Sequence, residues 1–562
     1  MRKDSQSASG TEETTHRLSA RGWLGLIVLM LGTFVVQVDF FIVNVALPSI
    51  QQDLNASLSA LQLIAISYSG AFAVLVITGG RLGDLYGRRT MFITGLVGFA
   101  AASLLCGLAW SDWALVLGRV AQGLAAALVL PQAVGSIHTM FTGAARERAF
   151  AVFGVAMGGA WVGGIVIGGL IIGPEGSGLG WRWIFLVNLP LAAVAIIGAL
   201  LFVDRSEPAK NVQLDLAGIA VLGAVIGLTV FPLIQGREEG WPWWTYAALG
   251  MAAVLAYAFV RIEQRVTATG RTPVLPLELF RDRNFRFGLL VIVVFFLGPP
   301  GFFLLTTLYL QSVLGFSAPA AGLSLLAFGI AFIFATELAK KLKQRMNEGV
   351  LLLGISAMVA GILVVAAVVE VSGTGLTIAH LAPGMALIGA GQALVTVPLY
   401  EMLLRHVPGT MAATASGVFT TIQIISQSLS VAFMVIVFTG VTDLRGQPAV
   451  EEGAESLAVQ LREQGLAADE TVIVIEDYRV CAHEGLAQVT AGVDVSCSGE
   501  GPRADAVDQA VSESVTPVVR QGYFASLIFY ATVLLLSGAT IVGTALRNRR
   551  QEQEEEEKVP ES

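Results

Sequence analysis

Charge is what this sequence has least of. Among its 562 residues only 14% are Asp, Glu, Lys or Arg, against about 25% in an ordinary soluble domain. A water-soluble enzyme of this length is excluded. Cysteine is nearly missing too: three residues make neither a metal cluster nor a disulfide framework. Lysine is scarce, and Lys3, Lys210, Lys340, Lys341, Lys343 and Lys558 each follow something other than Gly. A phosphate-cradling loop ending in Gly-Lys-Ser/Thr therefore has no place in the chain. His-Glu-x-x-His and Gly-x-Ser-x-Gly do not occur either. ATP-driven pumping and intramembrane hydrolysis lose their chemistry. No catalytic residue, metal site or cofactor is expected, and a net charge of −8 argues against a nucleic-acid partner.

Apolar length is what is abundant. Hydrophobic residues make up 55% of the chain, and the mean hydropathy is +0.72. At about 20 apolar residues per crossing, spans are expected near 23–48, 58–80, 90–110, 112–138, 149–173, 183–203 and 214–235. Further spans are expected near 243–262, 286–312, 318–340, 349–371, 376–404, 410–440 and 522–546. These runs are continuously apolar, so they read as helices rather than as alternating barrel strands. The run at 23–48 exceeds the ~7–15 residue core of a cleavable signal and has no small-residue cleavage site, so it reads as a retained first span. The expected class is an all-α membrane protein lying in a lipid bilayer.

Orientation follows from the basic residues. Most of the 34 Lys and Arg lie in joints that face one side when both termini are cytoplasmic, as positively charged loops do. Residues 1–22 then form a cytoplasmic tail, 263–285 a cytoplasmic linker and 547–562 an acidic cytoplasmic tail. The segment 441–521 becomes a long, acidic, extracellular loop. Its Cys481 and Cys497 would sit in an oxidising space, where they either pair or remain thiols.

An ionisable side chain at membrane depth costs at least ~2.5–3.5 kcal/mol, which makes it a functional candidate. Asp39 lies nine residues from Pro48, roughly 13 Å below the outer end of its span at ~1.5 Å per residue. Arg119 lies seven residues from Asp112, roughly 10 Å below the outer end of the fourth span. Opposite charges therefore share one level. A contact that makes and breaks between two conformations would change the acid's proton affinity, which is what proton coupling requires. The other reading is a static ion pair between helices, although a buried pair is a weak source of stability.

Other polar positions carry less information. Asp215, Glu337 and Glu401 fall near the cytoplasmic boundary, where water solvates them; Glu401 is the most interesting of these. Gln37, Asn44, Gln122, Gln132, Asn188, Gln392, Gln423 and Gln427 can line a cavity or bond between helices. A substrate cavity is assigned to Gln37, Tyr68, Gln122, Gln392, Glu401 and Gln423. The aromatic-rich stretch 295–309 can contact an apolar ligand or lipid. The joint Gly80-Arg81-Leu82-Gly83-Asp84-Leu85-Tyr86-Gly87-Arg88-Arg89 combines turn-forming glycines with fixed charges. Asp84 is expected at the start of the following helix, latching a basic residue of a neighbouring helix in one state. In the fifth span Gly159, Gly163, Gly164, Gly168 and Gly169 recur at spacings that permit close helix packing.

These residues carry a resemblance. The chain resembles the major facilitator superfamily and, within it, the fourteen-span drug:proton antiporters. Asp84, Gly87, Arg88 and Arg89, with Gly80, match the superfamily's loop between its second and third spans, with Leu85 replacing a basic residue. Asp39 to Pro48 is similar to the branch's first-span motif, with Phe41 where Thr is common. Arg119 with Gln122-Gly123 is similar to the fourth-span motif, whose arginine is implicated in proton transfer. Trp181 to Pro190, Leu279 to Phe285 and Tyr309 to Gly315 also fit. The fifth-span motif Gly-Pro-x-x-Gly-Gly lacks its proline here, at Gly164-Ile165-Val166-Ile167-Gly168-Gly169.

The resemblance implies a major facilitator fold with 14 transmembrane helices. These form six-helix bundles over 23–203 and 286–546 (including 441–521), separated by two extra helices in 204–262. It further implies a functional monomer in a bacterial plasma membrane, exporting an amphipathic drug or antibiotic by alternating access, with the proton gradient as its energy source. Uptake or export of a specific metabolite, siderophore or lipid, and a non-transporting sensor or scaffold, are the competing expectations.

Overall fold

The structure, a computed structural model, describes residues 20–556 apart from 142, 173–178, 206–214, 270–272, 276, 405–411, 464–465 and 490–501. Among the described residues, thirteen helices are long and apolar enough to cross a membrane. The 30-residue helix Gly143–Ile172 fills the place of the expected fifth span. Among the described residues every span is helical, as the continuous apolar runs lead one to expect. The tail at 1–19, Cys497 and the last six residues lie outside the described residues.

The first bundle contains α1 (Ala20–Leu54), α2 (Leu58–Tyr86), α3 (Arg88–Gly107), α4 (Asp112–Met140), α5 (Gly143–Ile172), the short α6 (Trp183–Leu186) and α7 (Asn188–Phe202). Their starts follow from capping: Ser57 and Ser111 accept from the third N–H of α2 and α4, satisfying donors the helix itself leaves free. α8 (Leu216–Glu238) and α9 (Trp243–Ala268) form the extra pair. α8 packs on α2 and on a helix of the second bundle, beside the seam where the bundles meet.

The second bundle is less regular. The expected ninth span is two helices, α10 (Arg283–Phe296) and α11 (Pro299–Leu308), because the consecutive prolines cannot continue the preceding hydrogen-bond ladder. The tenth is α12 (Ala318–Ser324) followed by α13 (Leu326–Met346), and then come α14 (Gly349–Ser372) and α15 (Ile378–Leu404). The last spans belong to α16 (Ala412–Glu463) and α18 (Pro502–Glu556), with α17 (Ala468–Val489) between them.

Here the structure departs from the sequence expectation. The segment 441–521 is largely helix, not loop. α16 has 52 residues, roughly 78 Å at ~1.5 Å per residue, far beyond the ~30 Å hydrocarbon core. Its C-terminal half packs with α17 and the start of α18 around a small core of Val450, Leu457, Tyr478, Val511 and Val515. Tyr478 donates to Ser514 at 2.8 Å, and Arg479 pairs with Glu451 at 2.7 Å. Cys481 is disulfide-bonded and Cys106 is free.

Large apolar side chains such as Leu105, Leu117, Val194, Phe334 and Leu363 are exposed around the bundles, as a lipid-facing surface requires. Trp110, Trp113 and Trp243 are exposed at neighbouring helix ends, where amphipathic indoles sit at a membrane interface.

Candidate functional site

α1 and α5 approach closely because α5 presents glycine. A methyl group at Gly164 would meet Val38 O and Phe41 Cβ at 2.9 Å, and one at Gly168 would meet Ile42 Cγ1 at 2.8 Å. Gly159 and Gly163 face Phe34 at 4.0 and 3.3 Å; the side of α5 at Gly169 lies outside the described residues. α4 is equally close to α2: a Cβ at Gly123 would lie 2.2 Å from Tyr68 O. These contacts bring the residues between them close together.

Asp39 and Arg119 are both fully buried, and Arg119 Nη1 donates to Asp39 Oδ2 at 2.5 Å. The other carboxylate oxygen, Oδ1, accepts from Asn188 Nδ2 at 2.6 Å and from Gln122 Nε2 at 3.1 Å. Gln122 also accepts from Arg119 Nη1 at 3.0 Å and donates to Ser103 at 2.8 Å. Arg119 Nε donates to Ile64 O at 3.3 Å, and its guanidinium lies 4.5 Å from the centre of the Tyr68 ring. Tyr68 in turn donates to Val36 O at 2.9 Å. Arg119 Nη2 has no acceptor.

Asn188 reaches the acid because the chain before it is pinned. Trp181 and Arg182 both donate to Asp53, at 3.0 and 2.5 Å. α6 then ends at Leu186 and α7 opens at Asn188, with Pro190 in its first turn, where a missing N–H is tolerated. From sequence, Asn188 counted only as one amide among several, and Ser103 was not singled out. Asn188 also lies in the Trp181–Pro190 stretch that fits the family, whereas a short polar residue in an apolar helix was the only signal for Ser103.

A cavity of about 700 Å³ lies between the bundles. Gln37, Gln392 and Gln423 line it, as do Asn44 and Gln427. Tyr68 and Gln122, assigned to the cavity from sequence, do not line it. Gln122 bonds to the acid instead, and Tyr68 stacks on Arg119 one layer behind Phe40, whose ring is 5.9 Å away. Phe40 itself faces the cavity, so a Phe40–Tyr68 step separates cavity from ion pair. The side chain of Glu401 lies outside the described residues. Phe153, Phe296, Phe303 and Phe332 supply apolar wall. No described lining residue carries a charge. Contacts between bundles run beside it: Ser69 with Ser428 at 3.0 Å, Thr421 to Ala73 O at 3.5 Å and Gln311 to Val45 O at 3.4 Å.

The joint after α2 is arranged differently from the sequence expectation. Asp84 sits in the last turn of α2, not at the start of α3; Gly87, at φ 90°, is the break between them. Glycine is required there because that φ is strained for any other residue. Asp84 pairs with Arg88 at 3.3 Å. Arg88 also donates to Gly135 O near the end of α4, and Arg89 donates to Leu200 O near the end of α7 at 2.6 Å. A Cβ added at Gly80 would lie 3.6 Å from Pro131 Cβ. The arginines thus satisfy carbonyls at helix ends of the first bundle. Glu337 is exposed, as expected; Asp215 is buried instead. Among the described residues no group of three or more His, Cys, Asp or Glu converges to hold a metal ion.

Residues 29–431 match the family model described as Major Facilitator Superfamily. The chain is 34% identical to the "Probable actinorhodin transporter" of Streptomyces coelicolor, over 84% of this chain and 81% of that protein. It is 30% identical to "Puromycin resistance protein pur8" of Streptomyces alboniger, over 88% and 95%. It is also 32% identical to the "Tetracenomycin C resistance and export protein" of Streptomyces glaucescens, over 74% and 76%. Among solved structures, a bacterial homologue of the human lysosomal transporter Spinster, inward-facing and unoccupied, aligns with a TM-score of 0.57 at 17% identity. That alignment covers 93% of this chain and 98% of the other.

Proposed function

This chain belongs to the Major Facilitator Superfamily, and from that membership we propose that it is a proton-driven exporter of an amphipathic small molecule, such as an antibiotic. It is a multi-pass membrane transporter with relatives named for antibiotic resistance and export. The observation that carries the proposal is the fully buried Asp39–Arg119 pair one aromatic layer behind a cavity whose described lining carries no charge.

In the proposed cycle the chain lies in a bacterial plasma membrane as a monomer with both termini cytoplasmic. Substrate enters the inter-bundle cavity from the cytoplasm or the inner leaflet, and aromatic walls hold it while amides orient it. A proton from outside neutralises Asp39, and the contact with Arg119 loosens. α1 and α4 belong to one bundle, so the change biases how that bundle rocks against the other and exchanges access. One inward charge is worth ~2.3 kcal/mol per 100 mV, enough to bias two states a few kcal/mol apart. The joint at 80–89 would stiffen the bundle's cytoplasmic end during that movement.

The test is efflux from vesicles under an imposed proton gradient. Asp39→Asn should leave the protein folded and inserted and abolish gradient-dependent efflux. Undiminished efflux would remove Asp39 from the mechanism. A panel of dyes and antibiotics, with and without a protonophore, would separate export from uptake of a nutrient.

A further inference from the structure

A second buried acid cluster lies apart from Asp39, where the extra helices meet the linker between the bundles. Asp215 caps α8: its Oδ1 accepts from Gly218 N at 2.9 Å, and the residue is only 9% exposed. Glu263, in the last turns of α9, is 0% exposed, and its Oε2 accepts from Leu275 N of the linker at 3.0 Å. Each carboxyl therefore has one oxygen occupied.

The other two oxygens, Asp215 Oδ2 and Glu263 Oε1, are buried and have no donor. They converge: a Cβ at Gly218 would lie 2.5 Å from the first and 2.7 Å from the second. Lying so near one point, the two oxygens are at most about 5 Å apart. A carboxylate oxygen can only accept. Two facing acceptors out of water are satisfied only if something between them donates, and like charges so close cannot both stay ionised.

Among the described residues, Arg81 of α2 is the cation of this region: it donates to Pro273 O of the linker, two residues before the Leu275 N–H that Glu263 accepts. Charge balance then selects the occupant. One proton makes Asp215, Glu263 and Arg81 together neutral. No proton leaves a net negative charge buried, and two leave a positive one.

We propose that Asp215 and Glu263 form a second proton-binding site, one proton shared between Oδ2 and Oε1, which with Arg81 straps the linker at 273–275 to the first bundle. The proton sits in a short O–H···O⁻ bond, among the strongest a protein makes. The site lies on the extra helices and the linker, outside the Asp39 network, and stands whether or not Asp39 couples transport.

The test uses infrared spectra of the full-length protein in lipid nanodiscs, titrated from roughly pH 5 to pH 9, above the ordinary carboxyl range of about 4, so that solvated acids are already ionised. Wild type should show a protonated-carboxyl band that Asp39→Asn retains. Glu263→Gln and Asp215→Asn should each lose it. Gly218→Ala, which wedges a methyl group between the oxygens, should shift or abolish it with every charge kept. If the Asp215 and Glu263 variants fail to fold, the comparison of wild type with Asp39→Asn still decides. The absence of any titrating protonated-carboxyl component beyond the one lost in Asp39→Asn overturns the proposal. So does a component that changes when Na⁺ replaces K⁺, which would make the gap a metal-cation site.

Discussion

Asp39→Asn exchanges one carboxylate oxygen for an amide group in a site where all neighbours donate. Arg119 approaches from one side, Asn188 and Gln122 from the other. An asparagine has one oxygen and one NH₂. If the oxygen faces Arg119, the NH₂ confronts two amide donors; if it turns, the NH₂ confronts a guanidinium. At least one hydrogen bond to a charged group is lost, worth about 1.5–3 kcal/mol, and Arg119 is left buried without its counter-ion. Together these should lower folding stability by about 3–5 kcal/mol. Arg119→Gln, which strands Asp39, should cost about the same. The double variant removes both charges, so its cost should fall short of the sum of the singles by about 2–3 kcal/mol. Denaturation of the purified protein, followed by helical circular dichroism, gives the three values. Additivity within about 0.5 kcal/mol would refute the reasoning, because it would mean that the two groups do not act on each other in the folded state.

Three further outcomes follow from the geometry. Gly168→Val drives two methyls into Ile42, whose Cγ1 already lies 2.8 Å from an added Cβ; a stability loss of about 1–3 kcal/mol and reduced efflux are expected, measured by thermal unfolding and vesicle assays. Gly87→Ala puts a side chain at φ 90°, which should lower stability by about 1–2 kcal/mol; unchanged melting would argue against that backbone. Phe303→Ala and Gln423→Ala alter an apolar and a polar wall of the cavity, so substrate preference in a dye panel should change about tenfold or less, and Phe303→Ala, which also removes a buried ring packed on Phe328, should lower stability by about 3–5 kcal/mol; an unaltered profile for both would move the binding site elsewhere.

Much of this was legible from residue order. Hydropathy located the helices because every backbone group in lipid must be bonded within its own segment. It also singled out Asp39 and Arg119, because a charge has no other reason to sit at that depth. Direction around each helix was not legible. Lipid is as apolar as a protein interior, so a helix such as α1 is hydrophobic on every side and its sequence carries no marker of which side is inward. That is why Gln122 and Tyr68 were assigned to the cavity, although they support the acid and base, and why Asn188 was not distinguished from other amides.

Composition and order by themselves determined that this is a many-helix membrane protein with two opposed charges at one level. Tertiary structure alone decided which donors surround the acid, that the described residues of the acidic segment 441–521 fold into helices, and that Asp215 meets Glu263, 48 residues away, instead of water. The physical reason is range. Burial in lipid is a property of a segment and can be read from it, whereas a hydrogen bond between helices depends on how closely backbones approach, set by glycines such as Gly123 and Gly164 and by the residues packed against them.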